Sequence, residues 1–516
     1  MKKSSLLAVC LFFGILASSL SLPLHCIEMV VWHRTIGAEA TANGVFISKM
    51  YSPNSGYTQF SLPPGEEDNN NFLIQNTDEL ACAGPLSQGA YTIVIHVSNG
   101  SAIKVHTVQI DIVAGNVHPQ ITSSDRYVLV LTNSGALYSF GNGNFGALGS
   151  GNTSNQSTPY HVNHSESVLV SQDLCSVSTG SYYSSYCLTR SGTVFAFGSN
   201  SFGQLGLGST TDMLIPTEVT ALSSEVIVKV VAGHQHTCFL TSEGKLWSVG
   251  KNSDGQLGNG TNTDSSTVIS LHQSGSVLEN VFLIDVLCGE RSIVALTSTG
   301  LYCWGFGAMG NLGLGNQLSY NVPQVLSVGF TAEFISGVGH SLFAGDDTGS
   351  LHATGYNYFG ELGLGDTTFR TTFTNMTTSL SGNVVGVSSR NNSTLMLTST
   401  GAVYGCGRNH NNQLAPGSTD NRIVPTLISS SEFGGDTATQ VATGGYSSYV
   451  LTSAGNLYGI GSQPGSTSFT TISLAVGSNA LIAMNNAPDN AATTDMPIST
   501  FSIGWTSYDA VLPDWL

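Results

Sequence analysis

Between residues 116 and 484, short apolar runs alternate with turns rich in Gly, Ser, Thr and Asn. The runs are β-branched and aromatic and follow no helical period, so they predict strands. The run Leu131-Thr-Asn-Ser-Gly135-Ala-Leu-Tyr-Ser-Phe-Gly141 recurs as Leu188-Thr-Arg-Ser-Gly192-Thr-Val-Phe-Ala-Phe-Gly198 and as Leu240-Thr-Ser-Glu-Gly244-Lys-Leu-Trp-Ser-Val-Gly250. Weaker copies end at Gly305 and Gly355 and closer ones at Gly407 and Gly461, at steps of 50 to 57 residues. Each copy reads strand, Thr-x-x-Gly turn, strand, which is a hairpin. A strand ending near glycine precedes it, as in Val230-Val-Ala-Gly233. A turn such as Phe202-Gly-Gln-Leu-Gly206 follows it, and a proline (Pro159, Pro216, Pro323, Pro425) often stands before the next strand. Four short strands cannot bury their own faces, whereas seven such sheets arranged radially share a core. The pattern predicts an all-β chain with a seven-bladed β-propeller over residues 116–484.

The Gly-x-x-His start, the Leu-Thr-x-x-Gly-x-Val/Leu-Tyr/Phe/Trp-x-x-Gly centre and the Phe-Gly-Gln-Leu-Gly-x-Gly end together resemble the regulator of chromosome condensation repeat. Ser124 and Arg390 depart from it where other copies have Gly, and the Gly305 copy has a shortened hairpin. The last unit lacks the Phe-Gly-x-Leu-Gly turn and leads straight to Leu474-Ala-Val-Gly477, a half unit expected to complete the ring against the first blade. The resemblance implies either guanine-nucleotide exchange on a small GTPase, with nucleosome binding, or a protein-binding scaffold.

Residues 27–115 have another texture. Phe72-Leu-Ile, Leu80-Ala-Cys-Ala, Tyr91-Thr-Ile-Val-Ile-His-Val and Val105 to Val113 read as strands, with turns at Gly89, Asn99 and Gly100. They predict a small β-sandwich resembling cadherin-like or immunoglobulin-like modules. Calcium is not carried over from cadherins, because Ser52-Pro-Asn-Ser-Gly56 and Asn99 lack the charged oxygens it needs. Ahead of this module, Lys2, Lys3 and the apolar run Leu6 to Leu16, followed by Ala17, Ser19 and Ser21, read as a signal peptide over residues 1–21. The run is shorter than a membrane span and no later stretch is long enough. Residues 485–516 form a polar linker and a tail bearing Phe501, Trp505, Tyr508 and Trp515.

Charge narrows the partners. With 15 basic against 32 acidic residues and a net charge of −17, the chain lacks the basic stripe that nucleic acid requires. Eight sequons, at Asn99, Asn152, Asn155, Asn163, Asn259, Asn375, Asn391 and Asn392, suit a secreted glycoprotein. The eight cysteines left after signal removal form no CxxC pair and imply no pairing; several sit at apolar strand positions, as small hydrophobes. Gly141-Asn-Gly143-Asn-Phe-Gly146 fits G-x-G-x-x-G, but no helix follows it to face a phosphate. His234-Gln-His236-Thr-Cys238 suggests a metal cluster. Yet His236 and His340 each lie three residues after a repeat glycine, which favours histidines bonded to backbone. No catalytic motif is present, so neither enzyme activity, a cofactor nor a bound metal is expected.

Binding remains. Residues just after each first-strand glycine occupy equivalent strand ends and so ring one face. They differ from copy to copy: Asp125 and Arg126, Tyr182 and Tyr183, His234, Glu290 and Arg291, Arg390, Tyr446. Tyr and Arg are enriched where binding energy concentrates. The expectation is a secreted or surface-bound, non-enzymatic, monomeric scaffold that binds an unknown protein through this face. A nucleotide-exchange regulator and a carbohydrate-binding surface protein are the alternatives.

Overall fold

The computed structural model describes the backbone of eight strands between Val30 and Val113. It also describes residues 120–472, apart from 125, 132–134, 298, 338, 347, 377–379, 391, 415–417, 444–446, 453–456 and 462–468. The signal segment, Leu474 to Gly477, the tail, Asp125, Tyr446, Asn99, Asn391 and Gly455 lie outside the described residues.

Residues 120–472 form seven four-stranded antiparallel sheets, each taking its strands in sequence order. The first is built from Gln120–Ser123, Tyr127–Leu131, Leu137–Gly141 and Gln156–His161; the last from Ala438–Thr443, Ser447–Thr452, Leu457–Gly461 and Thr470–Ile472. The chain is an all-β seven-bladed propeller. In its seventh blade residues 470–472 pair with the third strand of the same blade, while the half unit expected at Leu474 to Gly477 lies outside the described residues. Pro216, Pro323 and Pro425 also lie inside fourth strands. There, at the sheet edge, a missing N–H breaks no ladder.

The hairpin motif has a local cause. Thr189 and Thr241 accept a hydrogen bond at their carbonyls from Gly192 N and Gly244 N, at 2.8 and 3.0 Å. Their hydroxyls accept from N of the residue just before the third strand, Thr193 or Lys245. The turn glycine sits at φ +77° or +70°, where a Cβ is resisted. In blade five Asp346 replaces the Thr, its carboxylate receiving Ser350 N, and Gly349 supplies the positive φ. Sequence reading missed that glycine.

The Phe-Gly-x-Leu-Gly-x-Gly turn holds neighbouring blades together. Gly151, Gly208, Gly260, Gly315 and Gly365 each donate through N to the fourth strand of the next blade, on Leu214, Ser266, Asn321, Thr371 and Ile423. A Cβ on Gly255 would stand 2.4 Å from Asn321 Cα. Buried Asn200 stiffens the turn, donating to Ser209 O and Thr211 O while receiving Leu205 N; Asn252, Asn357 and Asn409 repeat the arrangement. The stretch from Gly141 to Gly146 is the same turn in blade one, with Gly146 against Leu214. Apolar residues of second and third strands, such as Phe197, Phe239, Trp304 and Phe343, fill the spaces between blades. Trp304 also donates to Gln256 O at 3.0 Å.

In the region before the propeller, the strands Val30–Val31, Phe46–Tyr51, Glu79–Cys82 and Phe72–Gln75 pair into one sheet. Ile36–Gly37, Ile103–Val113, Gly89–Ser98 and Gln59–Ser61 pair into another.

Candidate functional site

Within each antiparallel blade, the loops after the first and third strands share one end, the loop end. The hairpin turns and the connections to the next blade share the other, the hairpin end. A repeated hydrogen bond fixes the geometry of the loop end. The residue after the third-strand glycine donates through N to the residue that precedes the second strand: Asn142 to Arg126, Ser199 to Tyr183, Lys251 to Gln235, Phe306 to Arg291, Tyr356 to His340 and Arg408 to Asn392, at 2.7–2.9 Å. Arg126, Tyr182, Tyr183, His234, Glu290 and Arg291 therefore do share one end of the ring.

The same register corrects the reading of two histidines. His236 opens its second strand opposite Gly250, whereas His340 precedes Ser341, which stands opposite Gly355. Blade five has one extra residue before its second strand, so His340 matches Gln235. Neither histidine is held by backbone through its ring. His236 is buried, its ring beside the Cys288 thiol, and His340 Nε2 pairs with Glu290 Oε2 at 3.0 Å.

Two sectors differ in chemistry. Across blades one to three, Phe145 lies 5.3 Å from the Tyr183 ring and 5.8 Å from Tyr182, and Tyr182 lies 5.4 Å from His234. Phe145 and Tyr183 adopt φ +60° and +58°, a region bulky residues rarely occupy and one that persists only where surroundings impose it. Ser199 N on the Tyr183 carbonyl and Ser181 N on Gly233 O hold the loop of Tyr183, and Gly146 N on Gly143 O and Ala147 N on Asn144 O close the turn about Phe145. Phe145 stays 36 % exposed and Tyr182 is half-buried, but Tyr183, expected on the open ring, is buried in the core against Tyr127.

Across blades three to five the polar groups satisfy one another. Arg291 Nε donates to Asp254 Oδ2 at 2.8 Å, and its guanidinium lies 4.6 Å from the Phe306 ring centre. Phe306 meets His340 at 5.4 Å. The hydrogen bond from His340 holds the Glu290 carboxyl below its ordinary range. Phe145, Asp254 and Phe306 were not singled out as binding residues from sequence, and His340 was read only as a backbone-bonded histidine. Their signal was their position in the loop after the third strand, or one step along in register.

Arg390 is not an open ring residue. It is buried and crosses to Ser123 O of blade one and Ser181 Oγ of blade two. Among the sequons, Asn152, Asn155 and Asn375 are exposed, Asn259 and Asn392 half-buried. Asn163 is occupied by the blade-one hairpin, donating to Gly135 O and receiving Leu137 N. The six described cysteines, 175, 187, 238, 288, 303 and 406, are buried and form no disulfide with one another. Among the described residues no three His, Cys, Asp or Glu side chains come together to hold a metal ion, and no helix is long and apolar enough to cross a membrane.

Comparison with known proteins agrees with this architecture. Residues 67–343 match the RCC1-like domain, and residues 400–451 match the regulator of chromosome condensation (RCC1) repeat. The ultraviolet-B receptor UVR8 of Arabidopsis thaliana is 31% identical over 327 residues, covering 62% of this chain and 72% of that protein. The human E3 ubiquitin-protein ligase HERC2 is 30% identical over 292 residues, covering 55% of this chain but 6% of the ligase. Among solved structures, Prp20p of Saccharomyces cerevisiae superposes with a TM-score of 0.55 at 18% identity, covering 67% of this chain and 83% of that one, a likeness of fold.

Proposed function

The chain belongs to the RCC1-like domain family, and from that premise we propose that it is a non-enzymatic scaffold that binds a protein partner through the loop end of its propeller. The supporting observation is the aromatic sector of Phe145, Tyr182 and His234, where differing side chains stand on a repeated backbone frame. Ion pairs at Arg291 and Glu290 are already satisfied, so breaking them returns little on binding. Aromatic anchors lose only water and a few rotamers. The full chain carrying Phe145→Ala and Tyr182→Ala should lose a partner held by the parent chain, by about 2 kcal/mol or more. Unchanged binding removes the aromatic sector from the reading.

The proposal extends to location. The signal-like first 21 residues, the exposed sequons and the two paired sheets before the propeller fit a secreted or surface glycoprotein, monomeric and without a resident cofactor. In it those sheets form a cadherin-like or immunoglobulin-like sandwich. Burial shields the six described cysteines of the propeller from an oxidising compartment. N-terminal sequencing of chain recovered from medium should begin at Leu22 or a neighbour. Chain retained in cells and starting at Met1 would refute export.

A further inference from the structure

We propose that Cys238 and Cys288 form a disulfide that ties blade three to blade four, made as the two blades dock. The inference goes beyond the docking reading and leans on the export reading for its oxidant alone.

Three departures from the repeat meet at this junction. The residue that opens the second strand, opposite the third-strand glycine, is Ser184, Ser292, Ser341, Ser393 or Ser447 in five blades and Tyr127 in the first. In blade three it is His236. Two positions on stand Leu129, Tyr186, Val294, Phe343, Leu395 and Tyr449, against Cys238 in blade three. Before the first-strand glycine stand Thr179, Ala232, Ser336 and Thr443, against Cys288 in blade four. Drift would spread such changes over the ring, and here they fall on one seam.

Strand pairing brings the two thiols together. Cys238 stands opposite Val231 within blade three, and Cys288 of blade four places its Sγ 3.3 Å from the Val231 carbonyl. Both are buried in one core cluster, and their thiols hydrogen-bond one another. The His236 ring lies beside Cys288, in a space that Gly233 keeps open. A Cβ on Gly233 would stand 2.7 Å from His236 Nδ1 and 2.8 Å from Gly289 O. Burial resists ionisation of Cys288, but the Cys238 hydrogen bond and the His236 ring outweigh it and lower its pKa. Burial and the Cys288 thiol raise that of Cys238. One sulfur is thereby favoured as thiolate and its neighbour as thiol. Cys303 and Cys406 differ: they donate to the carbonyls of Leu312 and Glu361, and burial raises both.

The oxidant is a small disulfide such as oxidised glutathione, which an oxidising compartment supplies. The Cys288 thiolate attacks it, forming a mixed disulfide and releasing one thiolate. Cys238 then gives up its proton and attacks the Cys288 sulfur, displacing the second. The two cysteines lose two electrons and two protons, and the small disulfide leaves as two thiols. Burial bars an oxidant from the closed ring, so the step belongs to folding, before blade four covers the pair.

The full chain is synthesised in a cell-free system, once with a glutathione redox buffer and disulfide isomerase and once with dithiothreitol. Each product is unfolded in iodoacetamide and digested without reduction. With glutathione, mass spectrometry should recover the Cys238 and Cys288 peptides joined, with Cys175, Cys187, Cys303 and Cys406 alkylated. The melting midpoint should lie about 5 °C above that of the dithiothreitol product, and Cys238→Ala should erase the difference. Alkylation of both Cys238 and Cys288, either one joined to a different cysteine, or a bond that leaves the midpoint unmoved would overturn the proposal. Export fails separately: a bond formed in vitro by a chain that cells retain refutes export alone. Chain recovered from medium with both thiols alkylated refutes the bond alone.

Discussion

Arg390, at the end of the first strand of blade six, donates through Nη2 to Ser181 Oγ of blade two at 2.9 Å. Its other terminal nitrogen meets the Ser123 carbonyl of blade one. Among the described residues no sheet joins strands of blade seven to strands of blade one, and Arg390 ties blade six to blades one and two. A guanidinium suits the task because it is always charged and presents several donors in a rigid fork.

Arg390→Met keeps much of the stem and removes those donors. It should lower stability by about 1–3 kcal/mol, read as a fall in urea midpoint with an unchanged slope. An unaltered midpoint would show that the ring closes without this latch.

Lys229 of blade three and Asp285 of blade four form a buried pair at 2.6 Å. Burial lowers the lysine pKa and raises that of the aspartate. Asp285→Ala strands a buried ammonium and should cost about 3–5 kcal/mol, whereas Lys229→Met with Asp285→Leu should recover most of that loss. A double variant no more stable than the single one would contradict this account of the pair.

Glu361 stands where blades two, three and six have Gln204, Gln256 and Gln413. Its Oε2 receives Phe359 N at 2.8 Å, as the Gln oxygens receive their own backbone donors, but its Oε1 is buried without a partner. In blade six the corresponding amide donates to Ser393 Oγ. Burial pushes the Glu361 pKa up to about 7, from 4.5 for a free side chain. Between these values the folded chain keeps a proton that the unfolded chain has released. The stabilisation is thus complete below about pH 4.5 and is lost as pH rises through 7. Glu361→Gln should melt higher than the parent at about pH 8, with the gap closing toward pH 4.5. A constant gap across that range would assign the effect to something other than this carboxyl.

Gly244 turns the blade-three hairpin at φ +70°, with Phe282 pressed against the position a Cβ would take. Gly244→Val should cost about 1–3 kcal/mol. Gly208, also at positive φ but with open space around it, should suffer less from Gly208→Ala by the same thermal melt. Equal losses would show that crowding by Phe282 is not the added cost.

The number of blades, the hairpins and the identity of the variable end were legible in the sequence because each depends on contacts repeated within some fifty residues. Leu-Thr-x-x-Gly closes its own turn, and Phe-Gly-x-Leu-Gly meets the same place on each next blade, so the requirement is written again in each copy. The register of His340 was not legible. One extra residue before Ser341 moved it a step, and only strand pairing shows which residue faces Gly355. The Glu290–His340 and Arg291–Asp254 pairs join different blades, as does the aromatic sector. The reach of Arg390 links residues 209 and 267 positions apart, a distance at which no local pattern survives. Local turns and strands follow from neighbouring residues alone. The partners across blades are chosen by closure of the ring, which brings segments distant in sequence together.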